Sequence, residues 1–502
     1  MDKPSSPRIA VTAATMACIL VLAPATGHAQ TAPSPPLPPP PAFAADAIGQ
    51  AQRMRVFPDP PATAASQSIP PVIAALTAAT DPAGTAGTLQ PGGATTTGDN
   101  AFFQPLGTNG RSCATCHDPQ TGWTVNLPGI HARFQASRGT DPLFRLVDGA
   151  TCPTAPVSTP TTLLRAYALL LGRGLFRVGL PVPAAAQFAV TAVDDPYGCS
   201  AQPATGLTSP TAGILSVYRR PLPTTNLRFL TGIMWDGREP SLASQAVDAT
   251  LIHAQADATP TGAQQAQMTG FESGLYTAQA ADTAAGALNA AAAAGGVEVL
   301  AQQPFAPGIN DPANPGLFDR AAFKLYPAWL TLAGADPATR ARQSIARGER
   351  IFNTRPFTIS GVAGLNGAGS PGLRGSCSTC HNTPNVGNHS TNAMMDIGVT
   401  AANPPGLDVA GLPVFTLTCT AGPLAGRSVA VTDPGRALIT GQCADIGKTK
   451  VPALRALATR APYFHNGAAA GLPSVIEFYN RRFAIGLTPQ EREDLVNFLQ
   501  AL

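Results

Sequence analysis

Residues 111–117 read Arg-Ser-Cys-Ala-Thr-Cys-His, and residues 375–381 read Gly-Ser-Cys-Ser-Thr-Cys-His. Each stretch is a Cys-x-x-Cys-His motif. Two thiols about one helical turn apart can add to the two vinyl groups of one porphyrin, and the adjacent histidine is then aimed at the iron. Composition alone yields such a motif about 0.002 times in a chain of this length, so two copies decide for haem attachment against a zinc or thiol-redox reading. Cys113, Cys116, Cys377 and Cys380 are thus read as the attachment points of two haem c groups, with His117 and His381 as the fifth ligand of each iron.

Working outward, the N-terminus carries Lys3 and Arg8, then an apolar run from Ile9 to Ala23, then Gly27-His28-Ala29. This order predicts a secretory signal peptide over 1–29 and export to the periplasm. No other segment is apolar for long enough to cross a bilayer, so the mature chain is expected to have no membrane span. Residues 30–42 are proline-rich, favour extended polyproline and read as a linker. Two haem domains follow, an N-terminal one over 43–335 and a C-terminal one over 336–502. With 12% charged residues and a formal charge of +3, the chain has no broad basic face, and nucleic acid is excluded as a partner.

Of nine cysteines, Cys18 lies in the signal and four lie in the motifs. The remaining Cys152, Cys199, Cys419 and Cys443 suggest two disulfides in an oxidising compartment. Neighbourhood pairs Cys152 with Cys199 and Cys419 with Cys443, and crossed pairing stays open. Near the C-terminus, Thr488-Pro489-Gln490-Glu491 is a capping box that starts a helix reaching Leu502, with Leu495, Val496, Phe498 and Leu499 at helical spacing. The alanine-rich tract from Ala278 to Ala294 carries no clear pattern. Alternating strand patterns are scarce. The expected fold class is therefore mainly α, two c-type cytochrome domains with long irregular loops and insertions.

Three further blocks carry a resemblance. They are Trp235-Asp236-Gly237-Arg238 with Ser241-Leu242 and Gln245, Lys450-Val451-Pro452-Ala453-Leu454-Arg455, and Pro462-Tyr463-Phe464-His465-Asn466-Gly467. Together with both motifs they resemble the bacterial di-haem cytochrome c peroxidases and their relative MauG. The resemblance implies that Trp235 bridges the haems, that Gln245 lines the peroxide pocket of the first haem, and that His465 tunes electron transfer beside the second. Arg238 and Arg455 read as haem-propionate or structural partners, since a guanidinium pairs carboxylates and does not readily give up its proton.

The sequence departs from that family's pattern in several places. The pocket glutamate expected ten residues after Gln245 is Gln255, which leaves His253 or Glu272 as candidate substitutes. The methionine ligand of the second haem, fourteen residues beyond His465, is Tyr479, as in MauG, where a phenolate favours oxidised iron. Met394 or Met395 is the alternative ligand. For the first haem, the resemblance implies either a displaceable His131 or an open site. A family calcium ion sits between the haems, but its asparagine position holds Arg220, and calcium is carried as a candidate cofactor.

The function so implied is reduction of hydrogen peroxide at the first haem, with electrons relayed through the second and supplied by a small redox protein or a protein substrate. The alternatives are a plain two-haem electron-transfer cytochrome and a di-haem oxygenase acting on an organic substrate.

Overall fold

The computed structural model describes residues 69–199, 213–314, 316–367 and 369–502. The expected signal peptide over 1–29 and linker over 30–42 lie outside the described residues. Each motif folds as one turn of 3-10 helix, Cys113–Thr115 and Cys377–Thr379. The threonine in each has a mechanical role: Thr115 Oγ1 accepts from the Ser112 N–H at 3.0 Å, and Thr379 Oγ1 from the Ser376 N–H at 3.0 Å. That bond ties the turn shut and sets the position of both thiols and the histidine that follows.

The expected mainly α class is overturned. The described residues are 30% helical and 17% strand, a mixed α and β fold with ten helices. The strands missed in the sequence are made largely of small residues. Leu76–Asp81, Gly84–Leu89 and Tyr276–Asp282 pair antiparallel in a four-stranded sheet with Gly286–Ala287, yet they read LTAATD, GTAGTL and YTAQAAD. Alanine, glycine and threonine give no strong alternation of apolar and polar side chains, so the pairing is set by tertiary contact. The tract from Ala278 onward thus begins as strand.

The C-terminal helix forms as expected over Pro489–Gln500, with Thr488 Oγ1 accepting from the Glu491 N–H and Glu491 Oε2 accepting from the Thr488 N–H. It packs on the helix Pro337–Thr354. At their contact a Cβ on Gly348 would lie 2.0 Å from the Asp494 carbonyl oxygen, so glycine permits the close approach. Asp494, buried there, accepts from Ser344 Oγ at 2.6 Å and from Arg347 at 2.8 Å. Phe323, Phe352, Tyr326, Trp329 and Phe498 fill the core below, and the Phe352 ring stands 5.9 Å from His381. In the first half, Phe102, Trp123 and Phe271 form a smaller aromatic core, with Phe102 6.3 Å from His117.

Insertions lock the two halves together. Strand Phe188–Asp194 of the first half pairs with Val414–Cys419 of the second, which in turn pairs with Ser428–Val431. The expected Cys419–Cys443 disulfide staples this sheet, with Cα atoms 6.0 Å apart. Cys152 and Cys199, the other expected pair, are both buried and their side chains interact.

Candidate haem sites

His117 Nδ1 lies 3.0 Å from the Trp123 carbonyl oxygen, and His381 Nδ1 lies 2.5 Å from that of Gly387. A carbonyl only accepts, so each ring carries its proton on Nδ1 and presents Nε2 as the basic nitrogen an iron requires. The two carbonyls are turned inward by positive φ at Trp123 (62°) and Gly387 (78°). Burial holds both imidazoles down to about 4, so they are neutral near pH 7. For His117 the Trp123 carbonyl opposes that fall and the nearby His253 ring adds to it.

A cavity of about 220 Å³ opens beside His381, walled by Cys377, Cys380, Phe352, Met395, Trp235 and Tyr479. Lys450 and Arg460 also reach it, both buried and neither in a salt bridge among the described residues. Lys450 Nζ donates to the Gly232 carbonyl, and Arg460 Nη2 has no partner. A thiol pair, a neutral imidazole, apolar walls and uncompensated buried cations suit a porphyrin with carboxylate side arms, so the residues fit a haem. Tyr479, on the helix Leu472–Arg482, has no hydrogen-bond partner for its hydroxyl among the described residues, and burial pushes that hydroxyl well above its ordinary value. Met395 lines the same cavity, whereas Met394 does not.

Two segments 230 residues apart have the same backbone. Residues 226–253 and 456–483 each begin with a left-handed cap (Asn226, Ala456) on a 3-10 turn, Leu227–Phe229 and Leu457–Thr459. Each then makes an antiparallel bridge, Ile233 to Glu239 and Tyr463 to Ala469, with positive φ at Met234 and Gly237 and at Phe464 and Gly467. Each ends in a helix, Leu242–Ile252 and Leu472–Arg482, with the His253 N–H donating to Ala249 O and the Phe483 N–H to Tyr479 O. Trp235 and His465 are therefore equivalent positions, and their rings meet at 6.1 Å. The helix face Val475, Tyr479, Phe483 lines the His381 cavity. Its equivalent is Gln245, Ala249, His253, at the same spacing of four.

Trp235 Nε1 donates to the Arg220 carbonyl at 2.8 Å, which fixes the indole at the wall of the second cavity while its backbone belongs to the first repeat. Around it Arg219 binds Asp433 at 2.7 and 2.9 Å and Asp236 at 2.5 Å, and Arg238 also binds Asp236. His465 is buried, 3.6 Å from Asp433 Oδ2, and burial lowers it to about 4, so the cluster is charge-balanced with a neutral imidazole at its edge. Arg238 is thereby a structural partner of Asp236. Arg455 is fully buried with Nε and Nη1 unpartnered, and it is not among the residues that line the His381 cavity.

The amide of Gln245 has no hydrogen-bond partner among the described residues. His253 Nδ1 lies 2.6 Å from Asp148 Oδ2, and Asp148 is held by Arg111 at 2.6 Å. Gln255, where the pocket glutamate was expected, turns away with φ 55° and bonds Asn109. Glu272 is buried, accepts from Thr224 Oγ1 at 2.6 Å and leaves Oε2 unpartnered. Thr224 in turn donates its N–H to the Trp123 carbonyl that receives His117. His131 Nε2 is tied to the Leu171 carbonyl at 2.7 Å and is not presented as a ligand.

The residues do not fit the candidate calcium. Arg220 fills its expected position, donating through Nη1 to Arg173 O at 3.1 Å and through Nη2 to Val125 O at 2.6 Å and Arg460 O at 3.0 Å. A buried guanidinium already holds the carbonyls there, and no cluster of three acidic, histidine or cysteine side chains occurs among the described residues.

The fold sets two Cys-x-x-Cys-His turns, each with a histidine in the iron-binding tautomer. Residues 95–269 match the family model described as di-haem cytochrome c peroxidase. Cytochrome-c peroxidase IdrP2 of Denitromonas iodatirespirans is 35% identical over 141 residues, covering 26% of this chain and 36% of that one. IdrP1 of the same organism is 42% identical over 69 residues, covering 12% and 18%. IdrP1 of Pseudomonas sp. (strain SCT) is 36% identical over 81 residues, covering 14% and 21%. The matched stretch thus spans about a third or less of each curated relative's length. A solved structure of a MauG-like protein associated with microbial copper homeostasis aligns over 80% of this chain and 86% of that one at 15% identity, with a TM-score of 0.36, too low to carry the fold. The expected resemblance holds over residues 95–269, which match the di-haem cytochrome c peroxidase domain, and haem is the cofactor that this match implies.

Proposed function

We propose that the protein is a periplasmic di-haem oxidoreductase that reduces hydrogen peroxide at the haem held by Cys113, Cys116 and His117. A small redox protein supplies the electrons by way of the haem held by Cys377, Cys380 and His381. One observation carries the reading: Tyr479 lines the second cavity, and the residue at the equivalent position of the first repeat is Ala249. A methyl group cannot ligate iron, so with haem bound Ala249 would leave the first site free for peroxide, whereas the Tyr479 phenol could close the second.

Haem, when bound, supplies reversible one-electron exchange and an iron that accepts an oxygen ligand. The chain supplies the rest. Nδ1–H bonds to Trp123 and Gly387 hold the two histidines in the ligating tautomer. Gln245, one turn before Ala249, orients peroxide with its free amide. Trp235 stands between the sites with its N–H fixed on Arg220. Lys450 and Arg460 offer their charges to the second haem's carboxylates. The kinship with cytochrome-c peroxidases supports the same reading.

The test is peroxide consumption by the purified holoprotein with a reduced small c-type cytochrome as donor, beside electron paramagnetic resonance of the oxidised protein. The expected result is turnover with one five-coordinate and one six-coordinate haem. Two six-coordinate haems and no turnover would make it an electron-transfer cytochrome. Periplasmic recovery on cell fractionation checks the export expected from residues 1–29.

A further inference from the structure

The peroxide pocket lacks the glutamate that the family pattern places at position 255, and a proton must still move between the two peroxide oxygens. We propose that His253 is the catalytic proton carrier of the first haem site, oriented by Asp148. This inference rests on the reading that peroxide is reduced there.

Three observations converge on that ring. First, it continues the face of Gln245 and Ala249, and the matching residue in the second repeat, Phe483, lines the haem cavity beside Tyr479. Where the closed site has Val475, Tyr479 and Phe483, the open one has Gln245, Ala249 and His253: one ligand removed and two polar groups added. Second, His253 is tied to the segment leading into the first motif, where Asn109 Nδ2 donates to its carbonyl at 2.8 Å. Third, the ring is pre-oriented. Asp148 Oδ2 accepts its Nδ1–H at 2.6 Å, which leaves Nε2 as the free base. Asp148 is itself a buried carboxylate: burial opposes its charge, but Arg111 and His253 hold its carboxyl below the ordinary carboxylate range. Arg111 sits two residues before Cys113 and also donates to the His253 carbonyl at 3.2 Å, so the dyad is anchored to the haem motif itself. Its side chain is 35% exposed, enough to exchange protons with solvent. The charged groups around the ring are Asp148 and Arg111.

The step balances as follows. Nε2 of His253 takes the proton of the peroxide oxygen that faces the site and returns it to the outer oxygen. The O–O bond breaks with its electron pair on that outer oxygen, which leaves as water. The remaining oxygen becomes the second water with two protons from solvent and two electrons drawn from the haem pair and restored by the redox protein.

The experiment compares holoprotein with His253→Phe, which copies the second repeat, and with His253→Gln. Two readouts are taken: the rate of the peroxide reaction, and the affinity of the oxidised first haem for cyanide across pH. Hydrogen cyanide must surrender a proton on binding, so the second readout reports the base without turnover. The expected result is a peroxide rate lower by about 10²–10⁴-fold. Cyanide affinity should fall with a flattened pH profile, while haem content and the second haem's spectrum stay as in the wild type. A peroxide rate within about threefold of wild type, or unchanged cyanide affinity, overturns the proposal. Wild type that ignores peroxide defeats the functional reading instead, and cyanide still tests His253.

Discussion

Glu272 shows how far one side chain can be displaced from its ordinary chemistry. Burial pushes its carboxyl up to about 7, against the bond from Thr224. Its folded value therefore lies above the unfolded one, and the folded protein keeps a proton that the unfolded chain gives up. Stability is full below about pH 4.5 and is lost as pH rises to about 7, by on the order of 3 kcal/mol. Urea unfolding at both ends of this window should show that loss, and Glu272→Gln should remove it; an unchanged difference in the variant refutes the assignment. Tyr479→Phe belongs to the same scale. Loss of the phenol is expected to change the optical and paramagnetic spectra of the second haem while leaving the first unaltered. A methionine-to-iron charge-transfer band in the wild type would instead point to Met395. At this scale the sequence was informative where a residue type is chemically singular. Cysteine pairs and their histidines were legible, and His253 stood out as one of two stand-ins for the missing glutamate. Its Asp148 partner, 105 residues away, was not.

Among the elements, the two helices that cross at Gly348 and Asp494 form a close joint. Gly348→Ala places a carbon 2.0 Å from a carbonyl oxygen, so the helices must part, at an expected cost of about 1–3 kcal/mol in melting experiments. The Cys419–Cys443 bridge closes 24 residues, and Cys419→Ser should cost about 3 kcal/mol, read as a lower denaturant midpoint. Helix ends were legible because capping is local: Thr488 and Glu491 need only each other. Strands such as Gly84–Leu89 were not, since alanine and threonine take either state and their partners lie far off in sequence, as Tyr276–Asp282 does. That is why the expected mainly α class gave way to a mixed one.

For the molecule as a whole, Arg220 is the joint between halves. It ties Val125 near the first motif to Arg460 near the second, and its own carbonyl holds Trp235. With a guanidinium in place of a metal, chelation by EGTA should leave the melting temperature and the haem-to-haem electron transfer unchanged. Arg220→Met should lower both, since it removes three hydrogen bonds to carbonyls left buried. A chelator-dependent shift in the wild type would restore calcium to the junction.

What the sequence determined by itself was covalent and local: two Cys-x-x-Cys-His motifs, a terminal helix and the family resemblance of the stretch that holds Trp235. The inequality between the sites needed the tertiary structure. Trp235 and His465 stand 230 positions apart in stretches with few identical residues, and only their shared backbone aligns Ala249 with Tyr479 and His253 with Phe483. The physical reason is that backbone turns tolerate many side chains, so a repeated fold survives in φ and hydrogen bonds after it has faded from the letters.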